Sequence, residues 1–85
     1  MPQITEQNIR LTVQMLDTRD HMKRFFGDQY EARIEPFRDA IRRWTAETGK
    51  PKAEIALAVC KITEREGSGF DVALAISAFV EECNG

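Results

Sequence analysis

Eighty-five residues suffice for one folded domain but leave only a thin core, because folding at this length removes about 60–65% of the unfolded chain's surface. With 42% hydrophobic and 31% charged residues the chain should fold, yet a thin core leaves little room for the deep, dry pocket of an enzyme. A net charge of −2, with acids and bases interspersed, excludes a general nucleic-acid binder, which needs a basic field, and equally an acidic mimic of DNA.

The elements read in chain order as four helices. Thr5 is placed as an N-cap, with Ile4 before it and Ile9 after it at the spacing of a hydrophobic staple. A first helix then runs from Glu6 to about Phe26, where Gly27 supplies a left-handed stop. Its apolar residues fall on two opposed faces: Ile9, Val13 and Leu16 on one, Leu11, Met15, Met22 and Phe26 on the other. A helix packed on one side only should not look like this. It leaves one stripe uncovered, breaks near Asp17 to Asp20, or is central and covered on both sides.

Asp28, with Glu31 three residues on, has capping-box spacing and should open the second helix. Tyr30, Ile34, Phe37, Ile41 and Trp44 follow at helical steps and form the cleanest amphipathic stripe in the chain. Pro36 lies inside it, so the helix is expected to be kinked or split there, and Gly49 ends it. Pro51 fits the first turn of a third helix that closes at Gly67. Its residues from Ile55 to Ile62 are apolar nearly all round, which predicts a place in the middle of the fold. Ser68 caps a fourth helix with Asp71 three residues on. Val72, Ile76, Phe79 and Cys83 share one of its faces, and Phe70 and Leu74 the other. The tight Gly67-Ser68-Gly69 turn makes helices three and four an antiparallel hairpin. The fold class is therefore all-α: one domain, residues 1–85, built as a compact bundle of four helices. Ile34, Phe37, Ile41, Ile55, Val59, Ile62, Val72, Ile76 and Phe79 are the expected core.

Chemistry is sparse. His21 is the only histidine and lies in a charged stretch, where a solvated residue is the ordinary reading. Cys60 and Cys83 lack the close spacing of a metal or redox motif. Across the hairpin they should be displaced by roughly 9 Å along the axis, too far to bridge. Glu31, Glu35 and Asp39, followed by Arg38, Arg42 and Arg43, read as ion pairs on an exposed helix and not as an acid–base dyad. The glycines of Gly67-Ser68-Gly69 lack the lysine and the strand of a phosphate loop. The fourth helix carries no basic or amide side chain from Phe70 to Glu82, so the hairpin is no DNA-reading motif. No cofactor and no metal are expected.

By elimination, and from the surplus apolar face, the chain is expected to be a non-enzymatic protein–protein interaction module: a small adaptor, regulator or inhibitor, self-associating as a homodimer. The expected contact residues are Leu11, Met15, Met22 and Phe26. The rival reading is a nucleic-acid-associated regulator using the basic residues Arg38, Arg42, Arg43, Lys50 and Lys52. No apolar run is long enough to cross a membrane, and no basic-then-apolar leader opens the sequence, so a cytoplasmic chain with reduced cysteines is expected.

Overall fold

Glycine chemistry sets two of the helix ends. In the computed structural model, which describes residues 6–84 and side chains from 13 to 83, α1 spans Glu6–Phe26, α2 Tyr30–Thr48, α3 Lys52–Glu66 and α4 Gly69–Asn84. A single 3-10 turn, Gly27–Gln29, joins α1 to α2. Gly27 (φ 55°) and Gly49 (φ 70°) take the left-handed conformation that side chains resist, so α1 and α2 end there. The proposed cap Thr5 and staple residue Ile4 lie outside the described residues, as does the side chain of Ile9.

Asp28 does not cap α2. The 3-10 turn carries the chain directly from α1 into α2, and the residue in the cap position, Gln29, is itself helical with no side-chain cap bond. α2 passes through Pro36 without splitting. The carbonyl of Ala32, which loses its helical donor there, belongs to an exposed residue and can be hydrated. Pro51 stands just before α3 rather than within its first turn, and its carbonyl accepts from Glu54 N (3.1 Å) and Ile55 N (3.2 Å). Ser68 and Asp71 form the expected reciprocal cap: Ser68 N donates to Asp71 Oδ2 (3.1 Å) and Asp71 N to Ser68 Oγ (3.3 Å).

α4 is the helix around which the others gather. It packs against α1, α2 and α3, whereas α1 and α3 do not touch among the described residues. This corrects the expectation that α3 is central. α3 buries Ile55, Ala56 and Val59 against its neighbours, but Leu57 stays 50% exposed. Small side chains explain why α4 takes the middle: Ala75, Ala78 and Ser77 are fully buried and let the surrounding helices approach closely. Ser77 escapes an unsatisfied hydroxyl by donating to the Ala73 carbonyl at 2.8 Å.

Of the nine expected core residues, Ile34, Ile41, Ile55 and Val59 are buried, and Phe37, Ile62, Val72, Ile76 and Phe79 are partly buried. On α4 the weighting is reversed: Leu74, on the face opposite the expected one, is buried with Ala75, Ala78 and Val80. Tyr30 and Met22 complete the core. α1 runs unbroken through Asp17–Asp20 and turns Met22 and Phe26 inward, leaving Val13 50% exposed on its other face.

Candidate functional site

Of the first-helix residues proposed to meet a partner, Met22 is 4% exposed and belongs to the core, so it is not a free contact residue. Met15 is half-buried, Phe26 is half-buried against the core, and the side chain of Leu11 lies outside the described residues. The structure instead exposes Phe25, which the periodicity argument passed over, and Phe70, which it placed with Leu74 on one face of the fourth helix. Consecutive helical residues point about 100° apart, so with Phe26 turned inward Phe25 must turn outward. It is 60% exposed. Phe70, held at the first turn of α4 by the Ser68–Asp71 cap, is 53% exposed.

These rings meet. Phe25 and Phe70 lie 5.3 Å apart between centroids, tilted by 35°, while Phe26 stands edge-on to Phe25 at 5.0 Å and to Phe70 at 6.4 Å. The cluster is thus continuous from the core, through Phe26, to the surface at Phe25 and Phe70. The Arg33 guanidinium sits 5.6 Å from the Phe26 centroid, and the Lys23 ammonium 5.9 Å from that of Tyr30. The available signal in the sequence was the Phe25–Phe26 pair itself, since two adjacent aromatics cannot share one face of a helix.

The basic residues of the rival reading do not form a free patch. Arg38 Nε and Nη2 donate to Glu82 Oε2 at 3.0 and 2.9 Å, and Arg38 also lies 3.7 Å from Glu31. Arg42 pairs with Glu35, Arg43 with Asp39, and Lys50 Nζ lies 3.8 Å from Glu54. Lys52 is exposed. Hydrogen bonding to Glu82 raises the Arg38 pKa, and bonding to Asp39 raises that of Arg43, so both stay charged and occupied. A parallel contact ties α1 to α4: Arg19 Nη1 donates to Glu81 Oε1 at 3.1 Å, and the Tyr30 hydroxyl donates to the same oxygen at 3.3 Å. Arg19 is raised by that bond as well, and burial, reinforced by the Glu81 charge, pushes the Tyr30 phenol well above its ordinary value. The end of α4 is therefore a structural clamp on α1 and α2.

His21 is exposed. Cys60 and Cys83 are both free thiols, and burial, with the Cys83 sulfur nearby, pushes Cys60 up to about 11. Cys83 is exposed but is also raised, chiefly by partial desolvation. Among the described residues no group of His, Cys, Asp and Glu side chains is placed to hold a metal ion, and no helix is long and apolar enough to cross a membrane. Comparison of the chain with family models, curated proteins and solved structures finds no match.

Proposed function

We propose that this chain is a small, non-enzymatic protein-binding module, an adaptor, regulator or inhibitor, that docks a partner on the Phe25–Phe70 surface. The observation that carries this reading is the stacked pair of phenylalanines, each more than half exposed, backed by Phe26 from the core. Together they present about 200 Å² of aromatic surface, worth roughly 5 kcal/mol on removal from water before the costs of association. Aromatic anchors of this kind dominate the energetics of protein interfaces. We read α3 and α4 as an antiparallel hairpin that fixes Phe70, with α1 laid across it to supply Phe25, and we place the protein in a reducing compartment such as the cytoplasm, where Cys60 and Cys83 stay unbridged. Association of two copies remains the competing use of the same surface.

The test is a comparison of two proteins. Wild-type chain and the Phe25→Ser/Phe70→Ser variant are immobilised and challenged with native lysate and, separately, with heparin. The proposal expects one dominant protein on the wild type and none on the variant, with unchanged circular-dichroism melting and no heparin binding. A captured protein indifferent to the two substitutions would overturn it.

A further inference from the structure

One glycine keeps α1 and α2 from being a single helix. Across their junction Phe26 (φ −89°, ψ −18°), Gln29 (φ −88°, ψ −6°) and Tyr30 (φ −53°, ψ −50°) all hold right-handed helical conformations. Gly27, at φ 55°, is the one residue in that stretch with a positive φ. No proline stands between Gly27 and Pro36, and nothing packs where a side chain at Gly27 would lie. The chain turns there because one residue is left-handed, not because neighbouring atoms force it. α1 is also thinly attached. Among the described residues it does not touch α3, and its aromatic contacts with α2, Lys23 over Tyr30 and Arg33 over Phe26, lie beside the turn. Its distant attachments are to α4: Arg19 to Glu81, and Phe25 and Phe26 to Phe70. α2, in contrast, packs on both α3 and α4 and is tied to α4 by Arg38 and Glu82.

We infer that α1 is exchanged between two copies of this chain, with Gly27 as the hinge. When Gly27 moves to the right-handed region, the 21 residues of α1, the 3 of the turn and the 19 of α2 run on as one helix of about 64 Å. The molecule is 38 Å in its longest direction, so α1 then projects away from its own α4 and lies on that of the second copy, which returns its own α1. Each contact of the closed chain is remade between chains: Arg19 with Glu81, Phe25 and Phe26 with Phe70. The exchange therefore costs little beyond the freedom lost on association, and each copy gains the helical hydrogen bonds of the junction. Dilution favours the closed monomer and concentration the exchanged pair. The Phe25–Phe70 surface survives, built from two chains, so the exchange does not depend on what docks there.

Two substitutions at the hinge separate the closed and exchanged forms. Alanine resists a φ of 55° and favours the continuous helix, whereas asparagine tolerates the left-handed region and is a poorer helix former. After refolding at about 100 µM, light scattering should find Gly27→Ala at twice the monomer mass. Its dimer should be about a hundredfold tighter than that of the wild type, a factor of about ten from each copy. Gly27→Asn should stay at the monomer mass. Exchange is told from face-to-face pairing by refolding an Arg19→Glu chain together with a Glu81→Arg chain at physiological salt. Each variant alone sets like charges against one another, but a mixed pair that exchanges α1 restores opposite charges in both halves. Native mass spectrometry should then find the mixed pair well above the half share that random pairing gives. If Gly27→Ala precipitates, the mixed charge variants, which keep the native glycine, carry the test. A monomeric Gly27→Ala chain, dimers formed equally by Gly27→Asn, or mixed pairs at the random share would each overturn the exchange.

Discussion

Arg38→Met would strip the partner from a carboxylate that barely reaches water. The Glu82 side chain is only 5% exposed, and Arg38 donates twice to its Oε2. Its Oε1 accepts no hydrogen bond, and the nearest other cation is Arg42, whose Nε lies 3.8 Å away. Removing one member of a fully buried pair costs about 3–5 kcal/mol. Arg38 is itself 24% exposed and Arg42 can compensate in part, so the expected loss is about 2–3 kcal/mol. With a urea slope of about 1 kcal/mol per molar for so small a domain, the unfolding midpoint should fall by about 2–3 M. Arg38→Met combined with Glu82→Met should recover at least half of that loss, because two apolar side chains leave no charge to desolvate. A single-variant cost below about 0.5 kcal/mol, or no recovery in the double variant, would show that Glu82 is hydrated and that the α2–α4 clamp is an ordinary surface pair.

In the core, Ile34→Ala and Ile41→Ala should each cost about 2–5 kcal/mol by urea unfolding, whereas Leu57→Ala at its half-exposed site should cost under about 1 kcal/mol; equal costs would refute the assigned helix phases. Gly27→Ala and Gly49→Ala should each lose about 1 kcal/mol, because both open left-handed positions have space for a methyl group and only the backbone resists. Tyr30 is the only tyrosine, so absorbance at the phenolate band isolates it. Its folded pKa lies above the unfolded value of about 10, so its contribution is present below pH ~10 and is lost as pH rises beyond it, by up to about 1.4 kcal/mol per pH unit. Phenolate should form only on unfolding, Tyr30→Phe should flatten the alkaline loss, and ordinary titration in the folded protein would refute the buried Glu81 contact. A thiol reagent should label exposed Cys83 well before half-buried Cys60, and an intact mass two units low would contradict free thiols.

Helix existence was legible in the sequence because it is a local property. Gly27 and Gly49 announced left-handed stops, the Ser68–Asp71 spacing announced a cap, and Tyr30, Ile34 and Ile41 kept one phase through Pro36. What periodicity could not supply was which helix the others enclose. α3 looked central because its side chains are larger and apolar all round, yet α4 took the middle because Ala75, Ser77 and Ala78 let three neighbours come close. Close approach stabilises through packing density, and a hydrophobicity pattern does not encode it.

The same distinction separates the expected contact surface from the one observed. Two opposed stripes on α1 implied a surplus face; Val13 on one of them is half exposed and Leu16 half-buried, while Met22 and Phe26 on the other turned inward once α4 was there to receive them. Phe25 escaped notice because it belongs to neither stripe, and the contact of Phe70 with it was not legible because a turn and a cap far away in sequence bring the two rings together. The pairing of the α2 arginines with Glu35 and Asp39 was legible because those acids can be counted along one helix, whereas Glu82 reaches Arg38 only through the tertiary fold. Free cations are therefore a property of the folded charge network.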